Sequence, residues 1–300
     1  MQKIVPNLWF DTKAEEAANF YCGLFENSRI SHIARYEQAG AQVSGMPEGS
    51  VLTVEFALSG QEFIALNGGP VFSFTPSISF FINCGTESEL MKLWKELSQG
   101  GAVLMELGEY PFSEQFGWLQ DKYGVSWQLN LAERNQKITP FLMFSGDQLG
   151  KAAEAVAFYT SLFEDAKVLH MDKVGPGEEM EAGFVRHAAF RLQGQEFMVI
   201  DSAGDHPFTF NEAVSLYVNC ADQHEVDRLW DVLTKEGEVQ PCGWLKDKYG
   251  VSWQIVPAAL NDMVKDPNQR RVHNVMKAML EMEKLDLDTL TRAYEQADIL

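Results

Sequence analysis

Gly117-Trp-Leu-Gln-Asp-Lys-Tyr-Gly-Val-Ser-Trp-Gln128 returns in the same chain as Gly243-Trp-Leu-Lys-Asp-Lys-Tyr-Gly-Val-Ser-Trp-Gln254, with Gln120 against Lys246 as the sole difference. Chance does not give a match of that length, and self-similarity settles the architecture before any single element does. Further echoes lie upstream. Phe20-Tyr21 with Leu24-Phe25 answers Phe158-Tyr159 with Leu162-Phe163, Gly60-Gln-Glu-Phe63 answers Gly194-Gln-Glu-Phe197, Asn83-Cys84 answers Asn219-Cys220, and Leu93-Trp94 answers Leu229-Trp230. The offset between the copies changes along the chain, which confines insertions and deletions to loops. Two homologous domains are expected, over residues 1–135 and 136–260, with residues 261–300 as a helical extension outside the repeat.

Each copy reads as the same series of elements. Ile4 to Phe10 alternates as a strand, and Ala14, Ala17, Ala18, Tyr21, Leu24 and Phe25 recur at helical spacing. Strands follow near 29–36, 51–58 and 62–66, separated by glycine turns that include Gly40, Gly45 and Gly60. The second half of the copy repeats the order: a strand over 78–83, a helix over 87–98, then strands near 102–107, 115–121 and 125–131. Each domain is thus two β-α-β-β-β units, and the chain holds four. In the extension, Asp266-Pro267 reads as an N-cap with proline at the first helical position, followed by Val272, Val275, Met276, Met279 and Met282 on one helical face. A second short helix is expected from Asp286 or Asp288, carrying Leu290 and Tyr294.

Composition narrows the function. The chain has 300 residues, 46% of them apolar, with Lys plus Arg at 24 and Asp plus Glu at 43 for a net charge of −19. A surface this acidic repels phosphate backbones and anionic lipid, so neither nucleic acid nor membrane is expected as a partner. The opening Met1-Gln-Lys-Ile-Val-Pro6 has no signal-peptide core, and a cytoplasmic location is expected. Cys22, Cys84, Cys220 and Cys242 form no C-x-x-C pair, which argues for buried filler rather than disulfides or a zinc knuckle.

Paired β-α-β-β-β units, a first helix ending Phe-Tyr-x-x-Leu-Phe and a last hairpin Asp-x-x-Gly-x-x-Trp-Gln together resemble the vicinal oxygen chelate superfamily of glyoxalase I, bleomycin-resistance proteins and extradiol dioxygenases. The opening Ile-x-Pro-x-Leu-x-Phe and the tail Asp266-Pro-x-x-x-x-Val-x-x-x-Met-x-Ala-Met-Leu are similar to its PhnB-like branch, which often carries the label 3-demethylubiquinone 3-methyltransferase. The resemblance implies an α+β protein of tandem glyoxalase-like domains, each with a curled mixed sheet, whose intrachain pairing mimics the dimer of single-domain relatives; further oligomerisation stays open.

The superfamily's chemistry rests on a divalent metal held by His and carboxylate ligands. By that resemblance the ligand positions fall here near Val5 or Asn7, Ala65, Ser79 and Gln128, and near Thr139 or Phe141, Val199, Ser215 and Gln254. None of these is His or a carboxylate, so no metal and no cofactor is expected. No glycine-rich turn with an acidic ribose partner marks a methyl-donor site either. Ser126 reads as a hairpin serine, and Asp121 and Asp247 as turn caps.

With 20 Phe, 8 Tyr and 7 Trp, strand alternation should line a cleft with Asn7, Trp9, Ser79, Phe81 and Gln128 in the first domain and Phe141, Met143, Ser215, Tyr217 and Gln254 in the second. These are the candidate ligand-binding residues; catalytic residues are not assigned. His32 and His170 share a place in the second strand of each copy, while His187, His206, His224 and His273 are expected on the surface or in loops. Three readings follow. One is a metal-independent binder of a small, partly aromatic molecule. Another is a superfamily enzyme (lyase, isomerase, dioxygenase or group transfer), and the third a structural or regulatory protein with a vestigial cleft.

Overall fold

The computed structural model describes residues 2–178 and 180–296, so the last four residues of the helical extension lie outside the described residues. The first unit runs β1 (Ile4–Phe10), α1 (Ala14–Leu24), β2 (Arg29–Arg35), α2 (Gln38–Ser44), β3 (Val51–Leu58) and β4 (Gln61–Asn67). The second is β5 (Ile78–Cys84), α3 (Glu87–Ser98), β6 (Ala102–Tyr110), β7 (Ser113–Gln120) and β8 (Ser126–Leu131). The third is β9 (Ile138–Phe144), α4 (Ala152–Leu162), β10 (Ala166–Lys173), β11 (Val185–Leu192) and β12 (Gln195–Asp201). The fourth is β13 (Val214–Cys220), α5 (Gln223–Thr234), β14 (Glu238–Val239), β15 (Trp244–Lys246) and β16 (Ser252–Pro257), followed by α6 (Ala259–Met263), α7 (Gln269–Leu280) and α8 (Leu287–Glu295). Among the described residues no helix is long and apolar enough to cross a membrane.

The expected tandem of paired units is present as two mixed eight-stranded sheets. Sheet A runs β14-β15-β16-β13-β1-β4-β3-β2, and sheet B runs β10-β11-β12-β9-β5-β8-β7-β6. The first unit therefore shares a sheet with the fourth, and the second with the third. Each sequence copy contributes one unit to each sheet. The seams are antiparallel: β1 lies against β13 with Asn7 opposite Ser215, and β5 against β9 with Ser79 opposite Phe141.

The repeated dodecamer holds each copy together across its two sheets. The Asp121 carboxylate accepts from the backbone N–H groups of Tyr123 and Val125 at 2.8 and 3.1 Å, from the Trp127 indole at 2.8 Å and from the Tyr21 hydroxyl at 2.6 Å. Asp247 repeats this with Tyr249, Val251, Trp253 and Tyr159. The turn itself needs φ near +90° at Gly124 and +83° at Gly250, which only glycine adopts without strain. Trp127 and Trp253 are both fully buried, in equivalent positions as the repeat requires. Burial pushes both aspartate carboxyls up, and the four donated hydrogen bonds pull them back. These carboxylates are turn caps and tyrosine anchors inside the core.

Packing follows from the same residues. Ala14, Ala17, Ala18 and Tyr21 form the buried stripe of α1, and Tyr21 meets Trp127 edge-on at 5.2 Å. Phe63 on sheet A meets Phe80 on sheet B at 5.1 Å, so one continuous core joins the faces of the two sheets that point away from their clefts. The first residue of α1 is capped from a distance: Ala14 N–H donates to the Asn67 side chain. Asp201 serves Gly150 and Ala152 likewise ahead of α4.

Two local expectations change. Residues 38–44, read as a glycine turn, form α2, with Gly45 at φ +74° as its left-handed C-cap. In the extension, the N-cap of α7 is Asn268, whose side chain accepts from Arg270 N–H, rather than Asp266. Asp266 instead accepts from Asn268 N–H and from the Tyr294 hydroxyl, tying α7 to α8. The N-cap of α8 is Asp286, as expected. Val256, Leu260, Val275, Leu285 and Leu290 give these helices a small core of their own against the end of sheet A.

Candidate functional site

The ten candidate residues separate by sheet rather than by sequence copy. Asn7, Trp9, Ser215, Tyr217 and Gln254 share sheet A, whereas Ser79, Phe81, Gln128, Phe141 and Met143 share sheet B. Grouping them by copy, as the sequence suggests, is corrected by the two antiparallel seams.

On sheet A the concave face opens into a cavity of about 1050 Å³. Its floor includes Asn7, Glu55, Ile64, Tyr217 and Gln254, and its opposite wall is made by α2, α6 and α7 with Met276 and Met279. Adjacent strands place His32, Glu55, Ile64, Asn7, Ser215 and Ser252 in one row across the sheet. Asn7 is 3% exposed and its Oδ1 accepts no hydrogen bond. Gln254 donates to Ser215 Oγ at 3.0 Å, and the Tyr217 hydroxyl donates to Asn261 of α6 at 2.8 Å, so the ring leans toward the helical wall. Burial raises the Tyr217 phenol well above its ordinary value, which keeps it a neutral donor.

Trp9 stands at the rim. Its indole donates to Gly69 O at 2.8 Å and packs edge-on against Trp244 at 5.9 Å. A Cβ on Gly68 would lie 2.2 Å from the indole, which is why that position must be glycine. Of the ten candidates, Asn7, Tyr217 and Gln254 line the cavity itself.

Sheet B carries the equivalent row His170, Ala189, Met198, Phe141 and Ser79. Here Phe81 stacks on Phe141 at 6.2 Å and packs against Phe116 at 6.1 Å, while Phe141, Met143, Ser79 and Gln128 are all buried. Gln128 repeats the Gln254 bond by donating to Ser79 Oγ at 2.8 Å. Aromatic rings occupy the middle of this face.

The histidines differ from expectation in two places. His273 lines the sheet A cavity from α7, as does His32 from β2. His187 sits in β11 rather than in a loop, its ring 5.9 Å from the exposed His170; burial, with His170 and Arg134 nearby, lowers its pKa. His206 occupies a loop beside Ser202, and His224 is exposed on α5, where a surface place was expected.

The metal positions implied by the fold can be tested on this geometry. The side chains facing the clefts there are Asn7, Ile64, Ser215 and Gln254 on sheet A, and Phe141, Met198, Ser79 and Gln128 on sheet B. Amides, hydroxyls and hydrocarbon are poor donors for a divalent transition metal, and this set does not fit one. Among the described residues no three His, Cys, Asp or Glu side chains gather as a metal site.

Sequence reasoning missed Glu55, Lys265 and α2. Glu55 lies on the cavity floor and is paired at 2.8 Å with Lys265, which follows α6. Its signal was available: Glu55 interrupts Val54 and Phe56 in an alternating strand, on the same side as the candidate residues.

Comparison with known proteins places the geometry in a family. A family model described as 3-demethylubiquinone-9 3-methyltransferase matches residues 2–130 and again residues 136–256. A PhnB protein from Bacillus cereus is 50% identical, with a TM-score of 0.41, over 44% of this chain and 100% of its own. Glyoxalase I from Zea mays covers 89% of this chain and 96% of its own at 12% identity and a TM-score of 0.59, a likeness of fold. No curated protein matches the chain.

Proposed function

The chain belongs to the 3-demethylubiquinone-9 3-methyltransferase family, a PhnB-like group on the glyoxalase fold, and from that premise we propose that it is a metal-independent binder of one small, partly aromatic molecule in the sheet A cleft. The observation that carries this reading is the cavity of about 1050 Å³, somewhat above the usual range of small-molecule sites, at about 300–1,000 Å³. Its walls are largely apolar, from Ile33, Leu52, Ile64, Leu66, Leu260 and Val264. Polar and charged groups line it as well, among them Asn7, Glu55, Tyr217, Gln254 and Lys265. Such a site can bury an aromatic body while amides and a phenol set its orientation. The ring-lined sheet B face matches the vestigial reading instead, so one ligand per chain is expected.

The test is a thermal-shift screen of small aromatic metabolites, followed by titration of the hits. Hits should bind once per chain, lose about two- to tenfold in affinity in Gln254→Ala, and keep their affinity in excess chelator. Hits indifferent to every sheet A substitution would place the ligand elsewhere and defeat the reading.

A further inference from the structure

The cavity floor holds two acceptors that the protein itself serves poorly. Asn7 Oδ1 is buried without a donor, and a half-turn of the amide, which exchanges two groups of like size, brings that oxygen to the cavity side. Glu55 has one partner across the cavity, Lys265, and that pair is partly open to solvent, with side chains 18% and 29% exposed. Water still reaches both partners, so the pair can open without stranding either charge. The two partners are not equally free to leave. Glu55 is fixed within β3, hydrogen-bonded between β2 and β4, while Lys265 stands between α6 and α7 on a flexible stem that can turn to water.

The geometry points to an amine as the ligand of this cleft: a compact aromatic molecule whose cationic nitrogen displaces Lys265 from Glu55 and whose far end donates a hydrogen bond to Asn7 Oδ1. This rests on the cleft being a small-molecule site and adds the chemical class. Glu55, Ile64 and Asn7 are successive members of one cross-strand row. The acceptors are therefore about 10 Å apart at the backbone, two strand spacings, with a hydrocarbon side chain between them. One ring with a donor at each end fits that span. Sheet B has Ala189 and Phe141 at the matching positions and offers neither acceptor. The net charge of −19 also favours cations near the protein. Lys265, Arg35 and Arg270 line the same cavity, so a carboxylate is the rival ligand.

Four near-isosteric probes separate these cases by calorimetric titration: tyramine, phenethylamine, 4-ethylphenol and 3-(4-hydroxyphenyl)propanoate. Tyramine should bind most tightly. Glu55→Gln should weaken tyramine at least tenfold and level it with 4-ethylphenol, and Asn7→Leu should remove its advantage over phenethylamine. Lys265→Ala should strengthen tyramine severalfold, since the internal competitor is gone; a merely structural ion pair predicts no such gain. The proposal is overturned if the propanoate outbinds tyramine, if Lys265→Ala weakens tyramine, or if the four probes bind equally or not at all. Those failures concern the amine alone, because the metabolite screen with Gln254→Ala judges the cleft independently.

Discussion

The two concave faces are built from equivalent strands, yet sheet A opens onto a large cavity and sheet B presents stacked rings. Three exchanges contribute to the difference: Asn7 against Phe141, Glu55 against Ala189, and Tyr217 against Phe81. On sheet B the two phenylalanines stack and exclude space. On sheet A the amide is too small to fill it, and the tyrosine hydroxyl is held by Asn261 in a helix that sheet B lacks. Equivalent strands thus diverge through side-chain volume, through the length of the edge strands and through what covers the sheet.

The comparison breaks most sharply under exchange. Phe141→Asn should cost about 3–5 kcal/mol in urea unfolding, from a lost ring and a stranded amide. The reverse change, Asn7→Phe, removes an unpartnered buried acceptor and should leave stability level or raised while abolishing ligand binding. If both substitutions destabilise equally, the two clefts are equally packed and the contrast is wrong. Next in size is the shared anchor. Asp121→Ala and Asp247→Ala each strand four donors and should each cost about 3 kcal/mol or more, by the same amount within error. A clear inequality in denaturation would show that the copies do not rest on this anchor alike.

Smaller effects sharpen the contrast. Gln128→Ala should lower stability by about 0.5–1.5 kcal/mol with ligand affinity untouched, whereas Gln254→Ala should be read in the affinity. The smallest concerns pH. Burial lowers the folded-state pKa of His187, so the unfolded chain takes up a proton first as pH falls. Stability from this site is complete above the ordinary histidine range and declines as pH drops toward the lowered folded value. His187→Asn should flatten the stability profile there, as followed by thermal unfolding between pH 7 and 5. The matching sheet A position is Thr53, whose replacement by alanine should not alter the slope.

The repeat, the helices and the alternation of β1 were readable because each is local: a twelve-residue echo, an alanine stripe, a strand whose odd and even residues differ. Which units share a sheet was not. Ile78-Ser-Phe-Phe-Ile-Asn-Cys84 and Val214-Ser-Leu-Tyr-Val-Asn-Cys220 offer β1 nearly the same partner pattern, so nothing short-range distinguishes pairing with β5 from pairing with β13. The cavity wall was hidden for a related reason. Gly40 and Gly45 advertise a turn, and only the packing of α2 against α7 makes a helix of those residues. Glu55 and Lys265 lie 210 residues apart, and their meeting depends on the whole fold.

Six residues, 132–137, carry the chain from β8 to β9, and with them one copy becomes the covalent continuation of the other. Two separate identical chains assembled this way would bear the same residue at every matching place in both clefts, so any mutation that closed one would close its twin. A single tethered chain is free of that constraint. Drift or selection can then turn one of the two shared clefts into ballast for stability while the other keeps exploring chemistry, and the stretch of six residues is where that licence was granted.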